Sequence, residues 1–463
     1  MNTTSYPSLV KNWIDGSESS ATDGGLFDKR SPASGELLCQ AARSRAADVA
    51  SAVEAAKRAY PAWAGMTPVQ RGEMLMAVVR AMQQEREALA AIVAAETGMA
   101  PNAALGETGG AIAQGEFMAG EGRRLYGRTT TSAVPNKYAM TVRQPLGVAG
   151  LIIAANTPIA NVAWKVFPAL ICGNTAVLKA AEDTPATAWF FGKLAHAAGL
   201  PAGVLNIVQG LGEEAGAPLV AHPDVAVVSF TGSTEVGRQI AEVAGRRLAK
   251  VSLELGGKNP LVVCDDADLE SAARWVLLSA FSNAGQRCAA GSRIIIFDAV
   301  YDTFRDLLVT RTQGLRLGPG DEDDLGPVIN ERQLADMLAA VDQARVEGAT
   351  ILTGGHRLSG PAHAGGCYMA PTLIENADPQ AAISTREVFG PITCLYRVRN
   401  FAEALRLAND SPYGLTDCIH SRSVHRAIEF AQKVQAGVAV VNAGTYGSEP
   451  HMPFGGIKQS GNG

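Results

Sequence analysis

Val148-Ala149-Gly150-Leu151-Ile152-Ile153-Ala154 is an unbroken run without a polar side chain, and Asn156 follows it two positions later. A run this short and this apolar is typical of a strand that is buried on both faces of a parallel sheet. From Val148 onward, similar runs alternate with helical stretches of about a dozen residues. The alternation predicts βαβ units on a mostly parallel sheet, so we expect an α/β protein.

The alternation falls into two blocks, which predicts two α/β domains. The first block contains predicted strands at 148–154, 176–179, 204–208 and 225–230, with helices at 160–172 and 185–198. The second block starts with Pro260-Leu261-Val262-Val263 and continues with a helix after Asp268, a strand at 293–297 and helices at 301–312 and 331–347. The glycine-containing break Gly256-Gly257-Lys258 separates the two blocks.

The segment before Val148 is predicted to be mostly helical and to end in an extended arm. Small and apolar residues recur at helical spacing from Ala46 to Tyr60. Thr67-Pro68-Val69-Gln70 then combines an N-cap, a first-turn proline and a capping-box glutamine. Thr129 to Arg143 has the alternation of extended chain, so we expect an arm that pairs with another subunit.

Composition and charge narrow the class of protein. The chain has 463 residues, 47% of them hydrophobic, and a formal net charge of -5 without a Lys/Arg-rich block, which argues against nucleic acid as a partner. The most apolar stretch, 148–164, contains Asn156, Pro158 and Asn161, so we expect no membrane span. The N-terminus has no export-signal pattern, and seven unpatterned cysteines are typical of reduced thiols. We therefore expect a cytoplasmic protein.

Cys288 differs from the other cysteines in its surroundings. It follows Asn283-Ala284-Gly285-Gln286-Arg287 and precedes Ala289-Ala290-Gly291, so it lies among small residues, amides and an arginine. A polar or positive setting of this kind is typical of a thiolate nucleophile. The other six fit inert structural positions: Cys39, Cys172, Cys264 and Cys394 stand in apolar runs, and Cys367 and Cys418 have no convergent polar context.

Polar residues follow the predicted strands, at the carboxyl ends where ligands of α/β sheets collect. Asn156 follows the first strand, Lys179 and Glu182 follow the second, and Glu254 follows the last strand of the first block. Thr231-Gly232-Ser233 opens a helix whose N–H groups suit a pyrophosphate, although a plain N-cap also explains this serine. The G-x-G-x-x-G fingerprint is absent, and we expect no metal site because the histidines are scattered.

These residues belong to a series of motifs that resembles the NAD(P)-dependent aldehyde dehydrogenase superfamily from about Asn12 to the end of the chain. The family interval between Glu254 and Cys288, 288 minus 254 or 34 positions, is also kept. The motifs are Asn156-Thr157-Pro158, Trp164-Lys165 with Pro168-Ala169-Leu170, Gly173-Asn174 with Val177-Leu178-Lys179, Phe230 to Gly237, Glu254 to Pro260, Gly285 to Cys288, Glu387 to Pro391, and Pro453 to Gly456 with Ser460-Gly461.

The resemblance implies a Rossmann-like cofactor domain, an α/β catalytic domain and an extended oligomerisation arm. We assign residues 1–126 and 146–256 to the cofactor domain and residues 257–440 to the catalytic domain. Residues 127–145 are the arm, and residues 441–463 form a C-terminal segment. A homodimer or homotetramer is expected from this organisation.

The resemblance also implies roles for individual residues in the oxidation of a small-molecule aldehyde. Cys288 is expected to attack the aldehyde carbon, and the Asn156 amide and the Cys288 N–H are expected to hold the oxyanion. Glu254 is expected to activate the water that hydrolyses the thioester. Without the resemblance, Glu254 also fits a strand-end salt bridge.

The cofactor contacts implied by the resemblance follow the order of the dinucleotide. They are Lys179 and Glu182 on the adenosine ribose, Phe230, Gly232 and Ser233 at the pyrophosphate, and Glu387 and Phe389 around the nicotinamide ribose and ring. Core packing is the alternative for Phe389. Glu182 favours NAD, because a carboxylate repels a 2'-phosphate, and NADP stays possible beside Lys179.

The sequence departs from the family pattern in three places. Ala154-Ala155-Asn156-Thr157-Pro158 stands where the family often has Pro-Trp-Asn-Phe-Pro, which leaves room for a bulkier or hydroxylated aldehyde. Arg386 precedes Glu387 where the family has a second glutamate. The sequence stops at Gly463, where relatives continue through a tail that closes the substrate tunnel, so we expect a truncated chain or a differently built oligomer.

The substrate and two rival functions stay open at this point. A semialdehyde is a candidate substrate, because its far carboxylate suits a group of cationic and hydroxyl side chains. That group is Arg123, Arg124 and Arg287, with Thr445, Tyr446 and Ser448. One rival is an acylating dehydrogenase that transfers the thioester to coenzyme A, although such relatives generally lack the glutamate. The other is a non-catalytic structural or binding protein of the same fold.

Overall fold

The structure, a computed structural model, describes residues 6–462. Its first elements are β1 (Leu9–Val10), β2 (Asn12–Ile14), β3 (Ser17–Ser19), β4 (Leu26–Arg30), β5 (Leu37–Ala42), α1 (Ala46–Gly65), α2 (Pro68–Gln84), α3 (Arg86–Thr97), α4 (Pro101–Gly120), β6 (Thr129–Thr131) and β7 (Tyr138–Met140). The first alternating block contains β8 (Val148–Ile152), α5 (Pro158–Ile171), β9 (Thr175–Lys179), α6 (Pro185–Ala197), β10 (Leu205–Val208), α7 (Ala217–Ala221), β11 (Val225–Thr231), α8 (Thr234–Arg246) and β12 (Lys250–Glu254).

The second block and the C-terminal segment complete the chain. Their elements are β13 (Asn259–Val263), α9 (Leu269–Phe281), β14 (Gly291–Phe297), α10 (Asp298–Gln313), α11 (Glu331–Val346), β15 (Thr350–Thr353), β16 (Thr372–Glu375), α12 (Ala382–Thr385), β17 (Ile392–Val398), α13 (Phe401–Asn409), β18 (Tyr413–Gly414), β19 (Thr416–His420), α14 (Val424–Lys433), β20 (Val438–Val441) and β21 (Ile457–Lys458).

The first block forms a seven-stranded sheet in the order β12-β11-β8-β9-β10-β2-β3. The strands from β12 to β10 are parallel, and β2 and β3 add an antiparallel edge. Every residue of β8 and β9 is buried, as expected for central strands covered on both faces. The predicted α/β class is confirmed. The strand β8 ends at Ile152, before the end of the predicted strand 148–154, although the next residue, Ile153, is also buried.

The second block forms another seven-stranded sheet, in the order β15-β16-β17-β14-β13-β19-β20. Only β15 is antiparallel to its neighbour, and β13 lies between β14 and β19. The short segment 255–258 joins β12 of the first sheet to β13 of the second. The carboxyl end of β12 therefore lies close to the N-terminal end of β13, which places functional residues of both sheets together.

The N-terminal region follows the sequence prediction with one difference. The Thr67 hydroxyl accepts a hydrogen bond from the Gln70 N–H at 3.2 Å, and Pro68 is the first helical residue, so the predicted capping box is confirmed. Helix α1 continues through Pro61 to Gly65 and does not end at Tyr60. The predicted extended arm is a hairpin in which Thr129 pairs with Met140.

Each sheet has its own apolar core. The described residues contain no helix that is long and apolar enough to cross a bilayer. The assignment of residues to a cofactor domain, a catalytic domain and an arm stays a prediction at the boundaries given above.

Candidate active site

The turn before Cys288 has a backbone conformation that few residues adopt. Asn283, Ala284 and Gly285 have φ values of 55°, 52° and 68°, which lie in the left-handed region. A Cβ atom on Gly285 would lie 2.1 Å from the carbonyl oxygen of Gly390. Only glycine fits this position, and the turn therefore fixes Cys288 relative to the segment that carries Glu387.

Hydrogen-bonded amides connect this turn to Asn156. The Asn156 side-chain amide donates to the Gln286 carbonyl at 2.9 Å, and the Asn283 amide donates to the Asn156 carbonyl at 2.9 Å. The buried Gln286 side chain donates to the Pro327 carbonyl and accepts from the Ile329 N–H. One N–H of the Asn156 amide is thereby fixed, which leaves its second N–H for a ligand.

Cys288 and Asn156 line one cleft of about 570 Å³, a volume in the range of small-molecule sites. Gly232 and Ser233, at the N-terminal end of α8, form part of one wall. Glu387 and Phe389 contribute to another part. The structure thus brings together six of the ten predicted site residues.

Four predicted residues are not among the described residues that line this cleft. They are Lys179, Glu182, Phe230 and Glu254. Phe230 is only 6% exposed, and its ring lies so close to Gly232 that a Cβ atom there would be 2.3 Å away. It supports the Gly232 backbone from beneath, at the start of α8.

Lys179 and Glu182 form an ion pair at the carboxyl end of β9. The Lys179 ammonium is 2.7 Å from the Glu182 carboxylate. Burial alone would raise the pKa of Glu182, but the charge and hydrogen bond of Lys179 hold this pKa below its usual value. The Glu182 carboxylate is therefore ionised at neutral pH.

The Cys288 thiol has charged groups of both signs around it. Cys288 is partly exposed to the cleft, yet its burial among protein atoms raises the pKa of the thiol to about 12. The negative charges of Glu387 and Glu254 raise the pKa further, and the Ala289 N–H and Arg287 oppose them. Two carboxylates from distant segments therefore act on the thiol alongside Arg287, so its setting is polar and of mixed charge.

The other six cysteines follow the sequence interpretation with one exception. Cys39, Cys264, Cys367, Cys394 and Cys418 are buried. Cys172 is exposed, because it lies at the C-terminal cap of α5. The interpretation of Cys172 as part of a buried apolar run is therefore wrong.

Glu254 ends β12, and burial raises the pKa of its carboxyl to about 7, against the opposing charge of Lys165. Its Oε2 atom is buried without a hydrogen-bond partner among the described residues. The charge of Glu254 is one of the causes that raise the pKa of the Cys288 thiol, after burial and Glu387. A carboxylate with a pKa near 7 and a free oxygen is suited to accept a proton from water.

Glu387 is anchored on the backbone between the two sheets. Its carboxylate accepts a hydrogen bond from the Gly257 N–H at 3.0 Å, and burial raises its pKa to about 7. A Cβ atom on Gly256 would lie 2.3 Å from a Glu387 carboxylate oxygen. The glycine pair at 256–257 thus makes room for this carboxylate beside the cleft.

Arg287 is the arginine that lies next to the nucleophile. Its guanidinium carbon is 5.0 Å from the centre of the Tyr446 ring, and its Nε is buried without a hydrogen-bond partner among the described residues. Arg124 pairs with Glu121 at 2.7 Å, and the exposed Arg123 is 3.9 Å from Glu73. The arginines 123 and 124 therefore have acidic partners of their own.

Four polar residues that line the cleft were not assigned to the site from the sequence. Gln333, Asp336 and Gln343 come from α11, and Arg386 comes directly before Glu387. The residues on α11 have no local signal, because only the tertiary fold turns this face of the helix toward the cleft. Arg386 was noticed as a departure from the family pattern, but it was not assigned to the site.

Comparisons with known proteins agree with this geometry. The sequence model of the aldehyde dehydrogenase family matches residues 19–463. An α-ketoglutaric semialdehyde dehydrogenase of Bacillus subtilis is 38% identical over 452 residues, 97% of this chain and 93% of the relative. An NADP(+) succinate-semialdehyde dehydrogenase of Escherichia coli is 36% identical over 452 residues, 97% of this chain and 92% of the relative.

Solved structures are also similar over nearly the whole length. A betaine aldehyde dehydrogenase of Staphylococcus aureus in complex with NAD+ has a TM-score of 0.96 and 33% identity, and the match covers 98% of this chain and 90% of that chain. The residues matched by the family model, 19–463, include every segment that lines the cleft. The protein with this cysteine-bearing cleft belongs to the aldehyde dehydrogenase family and is an aldehyde-oxidising oxidoreductase.

Proposed function

We propose that the chain oxidises a semialdehyde to a dicarboxylate, with Cys288 as nucleophile, Asn156 as oxyanion donor and Glu254 as general base. The observation that carries this proposal is that Cys288 and Asn156 line the same cleft as the N-terminus of α8. A carbonyl in this cleft can contact a thiol and an amide donor together.

The first step is attack of the Cys288 thiolate on the aldehyde carbon, which forms a C–S bond and an oxyanion. The free N–H of Asn156 and the Cys288 backbone N–H stabilise the oxyanion. The Gln286 carbonyl orients the Asn156 amide at 2.9 Å, so this donor is preorganised. The thiol first releases its proton to solvent water in the cleft, to which Cys288 is partly exposed, and this ionisation is unfavourable because the pKa of the thiol is about 12 in the chain alone.

The residues of the cleft fit a dinucleotide cofactor, and bound NAD(P) supplies the hydride acceptor that turns the thiohemiacetal on Cys288 into a thioester. Gly232 and Ser233 line the cleft at the N-terminus of α8 and would hold the pyrophosphate. Glu387 and Phe389 line another part of the cleft and would hold the nicotinamide ribose and ring. The ionised Glu182 beside Lys179 favours NAD over NADP, since a 2'-phosphate would meet a carboxylate.

The last step is hydrolysis of the thioester on Cys288. Glu254 accepts a proton from water as the water oxygen attacks the thioester carbon. The tetrahedral intermediate then expels the Cys288 thiolate and releases the carboxylate product. An unpartnered carboxylate oxygen and a pKa of about 7 support this role for Glu254.

Arg287 supports a semialdehyde as the substrate. Arg287 is next to Cys288 in sequence, its guanidinium lies over the Tyr446 ring, and its Nε has no hydrogen-bond partner in the part of the chain that the structure describes. Arginine binds carboxylates by charge-assisted hydrogen bonds. Relatives that act on α-ketoglutaric and succinic semialdehydes by name are consistent with this proposal.

Substitution of Arg287 tests the substrate class. We expect Arg287→Ala to lower kcat/KM for succinic and glutaric semialdehydes by roughly 10 to 100-fold, because a charged hydrogen bond contributes about 1.5–3 kcal/mol. The value for uncharged butanal should fall much less, by the part that Arg287 contributes to ionisation of the Cys288 thiol, and Arg124→Ala is the matched control. Equal losses for butanal and the semialdehydes would contradict a role in binding carboxylates.

The type of reaction is tested by product analysis. The wild-type chain with a semialdehyde and NAD should form NADH and free dicarboxylate in equal amounts. Formation of acyl-coenzyme A in place of acid, when coenzyme A is added, would assign the chain to the acylating type. Absence of NADH with a broad panel of aldehydes would contradict catalysis itself.

We further propose a homodimer or homotetramer in the cytoplasm. The hairpin of residues 127–145 supports the oligomer, because Tyr138 and Met140 are 81% and 70% exposed, and apolar side chains grouped in this way mark interaction sites. Seven cysteines that are all free thiols support a reducing compartment.

A further inference from the structure

Glu107, on helix α4, closes the start of helix α5. Its Oε1 accepts hydrogen bonds from the backbone N–H groups of Ile159 at 3.0 Å and Ala160 at 3.2 Å. Helices leave their first N–H groups without intrahelical partners, and a residue at the N-cap usually accepts one of them. Here the N-cap residue Thr157 makes no such bond, and Pro158 has no N–H. A carboxylate from another helix therefore replaces the local cap.

The start of α5 is directly connected to the oxyanion donor. Asn156 comes two positions before the first residue of α5 and forms the turn between β8 and this helix. Its side-chain amide donates a hydrogen bond to the carbonyl of Gln286, in the turn before Cys288. On the other side, its backbone continues into the turn that Glu107 holds. The position of the Asn156 amide therefore depends on both anchors.

Glu107 differs from a helix cap on the protein surface because its carboxyl group is buried. Its Oε2 is buried without a hydrogen-bond partner among the described residues. Burial raises the pKa of its carboxyl to about 7, the two backbone N–H groups oppose this shift, and Arg287 opposes it more weakly by charge. A half-satisfied carboxyl in such a place costs stability unless its geometry has another use.

We propose that Glu107 is a positioning residue that holds the first turn of α5, and through it the Asn156 amide, in the geometry needed by the oxyanion. It acts through two hydrogen bonds from Oε1 and makes no contact with the reacting atoms. This inference rests on the proposed roles of Cys288 and Asn156 in aldehyde oxidation.

Variants at Glu107 test the inference through the rate of the first NADH burst and through alkylation of Cys288 by iodoacetamide. Glu107→Ala should slow the burst by at least about tenfold, because small displacements of positioned groups cost up to about a hundredfold. Alkylation should stay within about twofold of the wild type, since it needs the thiol and not the oxyanion donor. Glu107→Gln should restore the burst, because it keeps the length and the acceptor oxygen.

Asp48 is a matched control for the loss of a buried cap. Its carboxylate accepts from the N–H groups of Thr22 and Arg45, each at 2.8 Å, at the start of α1. Asp48 is 4% exposed, and α1 contributes none of the described residues that line the cleft. Asp48→Ala should lower the Tm as Glu107→Ala does, yet leave the burst rate within about twofold of the wild type, because it removes a cap and no positioned group.

Two outcomes would overturn the inference. One is a Glu107→Ala burst as fast as that of the wild type. The other is a faster burst for Glu107→Asp than for Glu107→Gln, because that order would make charge, and not reach, the important property. If Glu107→Ala does not fold, the comparison of Glu107→Asp with Glu107→Gln alone tests the positioning role of Glu107. A wild-type chain that forms no NADH would overturn the proposed function as well.

Discussion

Glu254 shows how burial gives a single residue its chemistry. The carboxyl ends a strand, its Oε2 has no partner among the described residues, and burial raises its pKa to about 7. Below that pH the group is protonated and cannot accept a proton from water. Above it the group is ionised and can act as a base. The residue type alone predicts neither property.

The pH dependence of thioester hydrolysis should therefore follow Glu254. We expect the rate to fall about tenfold per pH unit below pH 7 and to level off above it. Lys165→Met should move the inflection to higher pH, because the Lys165 charge lowers the pKa of Glu254. The pKa of Glu387 is also about 7, but the cation that lowers it is Lys258. A shift of the inflection in Lys165→Met therefore identifies Glu254 as the titrating group. Stopped-flow measurement of hydrolysis from about pH 5.5 to about pH 9 tests the assignment, because this range extends about 1.5 units or more on each side of the pKa of Glu254. An inflection that does not move in Lys165→Met would contradict the assignment.

Sequence reasoning predicted candidate site residues but not their state. Cys288, Asn156 and Glu254 are candidates because each stands in a motif whose order along the chain is readable. The raised pKa of the thiol was missed, because it depends first on burial in the folded chain and then on Glu387, which is 387 minus 288 or 99 positions away. The anchoring of Asn156 by Gln286 and Asn283 was missed for the same reason.

At the scale of elements, the backbone of the turn between α9 and β14 is tightly constrained. Three successive residues with positive φ precede Cys288, and Asn259 at the start of β13 donates to the Cys288 and Ala290 carbonyls at 2.7 and 2.9 Å. The strands and helices around it were predicted within a few residues from apolar periodicity. The conformation of the turn was not, because tertiary contacts such as that of Gly285 with Gly390 impose it.

Gly285→Ala should separate this constraint from ordinary helix effects. The added methyl group meets the Gly390 carbonyl, so we expect kcat to fall by at least about tenfold as Cys288 is displaced. Gly110→Ala is the matched control, because open space surrounds Gly110 within α4. That variant should keep its activity and gain roughly 0.5–1 kcal/mol of stability. Steady-state kinetics and thermal unfolding test both; full activity of Gly285→Ala would contradict the account.

At the scale of the whole molecule, the site exists because two parallel sheets meet. The carboxyl end of the first sheet supplies Asn156, Gly232 and Glu254, and the second block supplies Cys288 and Glu387. Alternation of apolar runs predicted both sheets, and the rule that ligands collect at carboxyl ends predicted the first half of the site. The contribution of α11 depends on packing between distant segments and could not be read from the sequence.

The arm provides a prediction about assembly. Val134, Tyr138, Met140 and Val142 are all more than half exposed, which is unfavourable unless a partner covers them. We expect the double variant Tyr138→Ser, Met140→Ser to lower the mass measured by light scattering to that of a smaller assembly. Val346→Ser, at a single exposed position, is the control that should leave the mass unchanged. An unchanged mass for the double variant would exclude the arm from the interface.

The central claim is that Cys288 carries the acyl group and Glu254 releases it. Mass spectrometry of Glu254→Gln after addition of NAD and succinic semialdehyde tests it most directly, with Cys288→Ser as the control that should stay unmodified. We predict an acyl adduct on the peptide that contains Cys288, together with about one NADH per chain, because the thioester forms but is not hydrolysed. Sustained turnover at the wild-type rate, or an adduct on any other residue, would contradict the account.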